Sequence, residues 1–199
     1  MKIIVIGASG TLGRAIVAEL GARHEILRAG RKGADLPVDI TDAASLRSMY
    51  ERAGPVDAVV CAAGNVHFGP LDQMTPEQYA VGLNDKLMGQ VNLVLAGQSV
   101  LRDGGSFTLV SGVLGHDPIR FGSSASMVNA AIDGFIAAAA IELPRGLRIN
   151  SVSPTVFVES LEGYGPYFRG FRPVPVAWAA MAFAKSVEGA QTGRTYRVE

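Results

Sequence analysis

Lys2-Ile3-Ile4-Val5-Ile6-Gly7-Ala8-Ser9-Gly10-Thr11-Leu12-Gly13 is the stretch whose reading decides the fold. Ile3–Ile6 is an unbroken apolar run that stops at a glycine, which reads as a parallel strand buried on both faces. Just beyond it, Leu12, Ile16, Val17 and Leu20 fall at helical spacing, and Gly21 supplies a stop signal. Gly7, Gly10 and Gly13 lie between strand and helix. Glycines there permit a tight turn and a close approach of backbone to a diphosphate, and the helix N-terminus adds unpaired N–H groups and a partial positive charge. The strand–turn–helix context predicts a dinucleotide site; the plainer alternative is a tight turn that holds no ligand.

Working outward, further strands are predicted over Glu25–Ala29, Leu36–Ile40, Asp57–Ala62, Gly105–Val110, Leu147–Val152 and Arg194–Val198. Between them, Asp42 caps a helix running through Glu51 and ended by Gly54-Pro55, Thr75–Leu101 reads as mostly helical, and Ser123–Leu143 and Ala177–Val187 are helices. Ser123 and Ser124 are expected as caps of the long one. Strands alternating with helices imply right-handed crossovers and an α/β architecture. The expectation is a single Rossmann-type domain over 1–199: a doubly wound parallel sheet of about seven strands with helices on both faces. Val156–Pro173 is the one long stretch without a period, and 156–173 is expected to be a loop on the substrate side.

Composition excludes several classes. Eighteen Lys+Arg balance eighteen Asp+Glu, which removes the electrostatic basis for binding nucleic acid or an anionic membrane. No run approaches the ~18 apolar residues of a membrane helix, and the N-terminal run is too short for a signal segment. The single cysteine, Cys61, sits in an apolar run and forms no intramolecular disulfide, so the cytoplasm is the expected compartment. His24, His67 and His116 are scattered and no C-x-x-C occurs, so no metal is expected.

An NAD site wants an acid about 20 residues after the glycine turn, bonded to the ribose 2′-hydroxyl. That window reads Leu27-Arg28-Ala29-Gly30-Arg31-Lys32, with cations and no acid. A 2′-phosphate fits it better, so NADP(H) is favoured over NAD(H), with Arg31 on the phosphate. The alternative is that Arg31 and Lys32 merely form a solvated turn.

With these residues in hand, the chain resembles the short-chain dehydrogenase/reductases nearly end to end. Gly7–Gly13 resembles the family's glycine turn, with Gly10 and Thr11 departing from its commonest spacing. Val38-Asp39-Ile40-Thr41-Asp42 resembles the segment after the third strand. Cys61-Ala62-Ala63-Gly64 takes the place of the Asn-Asn-Ala-Gly motif, Asn84 that of the helix asparagine, and Arg148–Pro154 matches the sixth strand with its following proline. Thr192-Gly193-Arg194-Thr195 resembles the segment before the last strand. The resemblance implies cofactor contacts from Gly7, Ser9, Gly10, Thr11, Leu12 and Gly13 at the diphosphate, and from Asp39 and Ile40 at adenine. It also implies contacts from Ala62, Ala63 and Gly64, the last two at the adenosine ribose, from Asn129 at the nicotinamide ribose, and from Pro154 and Val156 at the nicotinamide end.

One departure is large. The family reduces carbonyls with Ser, Tyr and Lys beside the helix Asn, yet Gly112, Ala125 and Asn129 stand in those positions. No tyrosine occurs between Tyr79 and Tyr164, and no lysine between Lys86 and Lys185. Asn84 is what the resemblance leaves as a catalytic residue. Ser111 is a stand-in carbonyl contact only if the strand end twists, because alternation points it away from the Gly112 side. His67 and His116 are alternative acids, more simply read as solvated loop residues. Tyr164 and Tyr167 could close over a substrate or simply pack as an aromatic lid. Lys86 is rejected as a stand-in, since residues i and i+2 on a helix do not share a face. Three readings follow: an atypical NADP(H)-dependent oxidoreductase acting on an unidentified small molecule, a catalytically inactive NADP(H)-binding sensor or interaction protein, and a non-redox lyase or isomerase on the same scaffold. Ala130, Ala131 and Ala137–Ala140 allow close helix approach, and in this family the corresponding helix lies at a subunit interface. A homodimer or homotetramer is expected, the alternative being that these alanines pack on the sheet.

Overall fold

The N-terminal run forms β1 (Lys2–Ile6), whose side chains alternate into two separate cores. Ile3 and Val5 enter one, Ile4 and Ile6 the other, and all four are sealed from water. A continuous apolar run, rather than an alternating one, is what a strand covered on both faces requires. The computed structural model describes residues 1–199. After β1 the chain runs through α1 (Thr11–Gly21), β2 (Glu25–Gly30), β3 (Leu36–Pro37), α2 (Ala43–Ala53), β4 (Val56–Cys61), α3 (Pro76–Val81), α4 (Gly89–Gly97) and β5 (Leu101–Val110). It continues through α5 (Ser123–Glu142), β6 (Arg148–Pro154), α6 (Leu161–Tyr164), α7 (Val176–Glu188) and β7 (Thr195–Val198). All seven strands are parallel, in the order β3-β2-β1-β4-β5-β6-β7, and helices cover both faces. Helices α2, α4 and α5 bury Met49, Leu93 and Ile132 on one face; α1 and α7 bury Ile16 and Phe183 on the other.

The strand order reverses its direction of growth between β1 and β4, so the carboxyl ends of these neighbours open a crevice. The Gly7 amide donates to the Ala29 carbonyl at 2.9 Å and the Ala62 amide to Ile6 at 2.9 Å, fixing the crevice walls. Cys61 closes β4 from beneath: it is wholly buried, and burial pushes its thiol up to about 12.

Several expectations are corrected. The third strand ends at Pro37 rather than Ile40: Val38 N still donates to the carbonyl of Gly30 at 3.0 Å, but β2 itself ends at Gly30, and the Asp39 amide turns to Ser45 Oγ at 2.9 Å. The fifth begins at Leu101, not Gly105, pairing with Val56 before a register shift. The segment 75–101 is mostly helical as expected, with π-helical turns over Gly82–Met88 joining α3 to α4; only its end is corrected, since Leu101 already belongs to β5. Neither serine caps α5. Gly122 stands at that position without a side-chain bond, Ser123 Oγ pairs with Tyr79 Oη at 2.8 Å, and Ser124 Oγ is buried without a partner. α5 also overturns the expectation about length, since its 20 residues are long and apolar enough to span a membrane by composition; here Val128, Ile132 and Ile136 lie against the sheet. Asp42 caps α2 as expected, accepting from the Ala44 amide at 2.9 Å. The aperiodic stretch leaves and rejoins the fold at one point, where Val158 N donates to the Val174 carbonyl at 2.9 Å and Val174 N to that of Val156 at 3.1 Å. Between these ends lie a 3₁₀ turn over Val158–Ser160 and α6.

Candidate active site

Two depressions lie along the carboxyl ends of the strands. The larger, of about 760 Å³, brings together Gly7, Ser9, Gly10, Arg31, Asp39, Ile40, Ala62, Ala63 and Gly64. Its floor is the glycine turn. Gly7 has φ +77, and a Cβ there would lie 2.8 Å from the Ala62 carbonyl oxygen; a Cβ on Gly13 would lie 2.0 Å from that of Gly7. The Gly10 amide donates to the Gly7 carbonyl at 3.0 Å, and Gly10 begins α1 with no side-chain cap and no acid in the first turn. The amides of Thr11, Leu12 and Gly13 therefore have no helix carbonyl to bond, which leaves a ready anion site at the crevice. Leu12 contributes only its backbone, because its side chain is in the core.

Cations and acids on this groove differ in their freedom. Asp39 Oδ1 accepts from Thr41 Oγ1 at 2.7 Å and from Thr41 N at 3.0 Å. Those bonds, helped by Arg31, hold its carboxyl below the usual carboxylate range. Asp85 accepts from Asn65 Nδ2 at 2.7 Å. Arg31 and Lys32 line the same groove and join none of the ion pairs in the molecule. A nicotinamide dinucleotide fits this set: bare amides for the diphosphate, an apolar wall at Ile40 for a base, and unpaired cations for a further phosphate.

The second depression, about 190 Å³, gathers Ser111, Gly112, Asn129, Pro154 and Val156. Ser111 Oγ and Asn129 Oδ1 are buried there without hydrogen-bond partners. The Asn129 amide crowds Gly112, where a Cβ would lie 2.9 Å from Asn129 Nδ2. Asn84 is exposed and lines neither depression. Lys86 lines the second one instead, its Nζ donating to the Ser111 carbonyl at 3.0 Å. The two residues do not share a face, and it is Lys86, not Asn84, that lines the depression. Burial pushes the Lys86 ammonium down to about 8, against the opposing influence of Asp133.

A third cavity, about 350 Å³, adjoins the second and shares Phe68, Tyr164 and Phe168 with it. Tyr164 packs edge-on against Phe68 and Tyr167 against Phe121, each with ring centroids 6.4 Å apart. The aperiodic stretch thus places its aromatic side chains beside the second depression. His116 Nε2 lies 3.2 Å from Glu199, and neither it nor His67 lines these cavities. No cluster of His, Cys, Asp and Glu has a metal-site arrangement.

The sequence reading missed Gln90. Fully buried on α4, it donates to the carbonyls of Val110 at 3.0 Å and Lys86 at 3.1 Å and accepts from Val110 N at 2.9 Å. It thereby clamps the π-helical turns to the end of β5. A polar residue on an otherwise apolar helix face, Leu93 and Val94 beside it, was the available signal.

A model of the family described as enoyl-(acyl carrier protein) reductase matches residues 11–196. An uncharacterized oxidoreductase of Mycobacterium tuberculosis is 30% identical over 181 residues, covering 78% of this chain and 67% of that relative. Another from the same organism, described as an uncharacterized NAD-dependent oxidoreductase, is 27% identical over 190 residues, with 86% and 69% covered. The crystal structure of the protein lin1944 from Listeria innocua superposes with a TM-score of 0.98 at 53% identity, with 100% of both chains covered. A small-chain dehydrogenase solved in complex with NADPH superposes at 0.89 with 23% identity, covering 100% of this chain and 96% of that one, a likeness of fold. Sheet order, crevice and glycine turn define a nicotinamide-nucleotide Rossmann fold. The chain belongs to the short-chain dehydrogenase/reductase family of oxidoreductases.

Proposed function

We propose that this chain is an NADP(H)-dependent oxidoreductase acting on a small molecule without the family's usual Ser, Tyr and Lys. One observation carries the choice of nucleotide: Arg31 and Lys32 are free of ion pairs where β2 ends, while both acids on that groove are already engaged. A 2′-phosphate gains charge-assisted hydrogen bonds there, and no acid at the end of β2 competes for the position. Bound and reduced, the nucleotide supplies a hydride. The amides of Gly7–Gly13 hold its diphosphate, Asp39 and Ile40 flank adenine, Ala62–Gly64 meet the adenosine half, and Asn129, Pro154 and Val156 hold the nicotinamide end. Calorimetric titration with NADPH and NADH tests this reading. NADPH is expected to bind more tightly, and Arg31→Ala to weaken NADPH about tenfold or more while NADH changes little. Equal losses for both nucleotides would place the 2′-phosphate elsewhere.

A second reading, a nucleotide-binding sensor or interaction protein without redox chemistry, is favoured by the Asn129 amide crowding Gly112. Oxidation of bound NADPH by a carbonyl compound would end it.

We further propose a homodimer or homotetramer in the cytoplasm. Ile141 on α5 is 87% exposed and Leu95 on α4 is 56% exposed, apolar surface that a second copy would cover. Sedimentation equilibrium is expected to return a multiple of the 20.8 kDa chain mass; a monomer at micromolar concentration would contradict the assembly.

A further inference from the structure

We propose that Lys86 is a catalytic residue, its ammonium giving the proton to a substrate carbonyl oxygen seated in the depression between Ser111 and Asn129. The proposal rests on the reading that a reduced nicotinamide nucleotide is bound. Lys86 is the one charged side chain lining that depression. An ammonium has three donors; the Ser111 carbonyl takes one at 3.0 Å, and no carboxylate pairs with the nitrogen. Two donors remain on a side chain that lines the cavity.

The side chain is also held in place. A Cβ on Gly64 would lie 2.7 Å from Lys86 Cγ and 2.9 Å from its Cα, so the stem lies directly against the crevice wall. Gln90 grips the Lys86 carbonyl from the other side at 3.1 Å. Ser111 and Asn129 each keep a buried side-chain oxygen without a partner beside the same space. The ionisable groups around the amine are Cys61 on β4, Asp133 on α5 and Asp85 on its own turn. Asp133 accepts from Ser151 Oγ at 2.8 Å and Asp85 from Asn65 at 2.7 Å. Cys61 is a neutral thiol here and Asp133 favours the ammonium, yet burial outweighs it and leaves the amine titrating at about 8, a value suited to an acid working near neutrality.

The step balances. The hydride adds to the carbonyl carbon and the C–O π pair moves onto oxygen. The Nζ–H bond of Lys86 breaks as the O–H bond of the alcohol forms. The neutral amine then takes a proton from water. Because the donor must be protonated, reduction falls as pH rises through about 8.

The chain has four lysines, Lys2, Lys32, Lys86 and Lys185, so lysine-selective NMR resolves each side-chain amine, with Lys86→Met giving the assignment. In nucleotide-free protein the Lys86 signal is expected to titrate near 8; an ordinary lysine midpoint would overturn the proposal. In NADPH-saturated protein, 9,10-phenanthrenequinone serves as the carbonyl probe. Lys86→Met is expected to cut kcat about 10²–10⁴-fold while calorimetry finds NADPH affinity within about twofold. Lys86→Arg, which keeps the charge but does not release its proton, should lose turnover as well, and the wild type alone should show the alkaline decline. Full turnover in either variant, a flat wild-type pH profile, or no reduction of the quinone by nucleotide-loaded wild type would each overturn it. Should Lys86→Met fail to fold, Lys86→Arg and the wild-type profile decide. Absence of NADPH binding would remove the underlying reading and appears separately in calorimetry, whereas the Lys86 midpoint is measured without nucleotide.

Discussion

Gly13→Ala is expected to abolish nucleotide binding and to lower the melting temperature by at least 6–12 °C. The added Cβ would stand 2.0 Å from the Gly7 carbonyl oxygen, 2.7 Å from its carbon and 2.8 Å from Ala8 Cα. All three are backbone atoms of the turn itself, so no rotamer change relieves the clash. Either the turn opens or α1 moves off the sheet, where Leu12 and Ile16 are buried. Overpacking typically costs about 1–3 kcal/mol and occasionally more, and a clash with rigid backbone falls at the top of that range, about 3 kcal/mol or more; in a domain of this size each kcal/mol shifts the melting temperature by roughly 2–4 °C. Gly10→Ala is the control: its Cβ would meet nothing nearer than the Gly7 oxygen at 3.4 Å, so that variant should melt within about 2 °C of the wild type. Differential scanning calorimetry of the two variants gives the comparison. A stable Gly13→Ala would mean that the turn adapts and that its shape is not set by this contact.

Gln90→Leu is expected to destabilise the chain by about 3–5 kcal/mol, although leucine is the better helix former and the more apolar side chain. The substitution strands the Val110 N–H, the Val110 carbonyl and one lone pair of the Lys86 carbonyl, all of which the buried Gln90 amide satisfies. Each unsatisfied buried group costs about 1–3 kcal/mol, well above the gain from the apolar side chain. Denaturant unfolding monitored at Trp178 would measure it. A change below about 1 kcal/mol would show that these groups find other partners.

The two variants also mark what could and could not be read in the sequence. The glycine turn was legible because steric demand acts locally: a strand that ends at one glycine and a helix that starts over another leave little choice of conformation. The sheet was legible because Ile3–Ile6 and Val59–Cys61 need cover on both faces, which a doubly wound arrangement supplies. The Gln90 clamp was only half legible: a polar residue on an apolar helix face signals a buried partner, but the Val110 groups it holds lie 20 residues away on β5, and nothing in α4 names them. Lys86 shows a different failure. Two residues along a regular helix point apart, so the spacing established that Asn84 and Lys86 would diverge. Which of them faced inward depended on the phase of the helix, and the π-helical turns over Gly82–Met88 reset that phase. The ends of β3 and β5 were misjudged for a similar reason: Pro37 and the register shift after Val56 are settled by what the neighbouring strand offers.

The seat of Cys61 has a consequence for anyone who labels this chain. Only the thiolate reacts with alkylating reagents, and this sulfur is shut away beneath the crevice with its ionisation suppressed. At neutral pH the native molecule is thus silent to such reagents, and modification waits on transient opening of the sheet around β4. The lone sulfur is an internal clock for that opening, one that any tightly held nucleotide will slow, because a ligand bound only to the closed form makes each opening rarer.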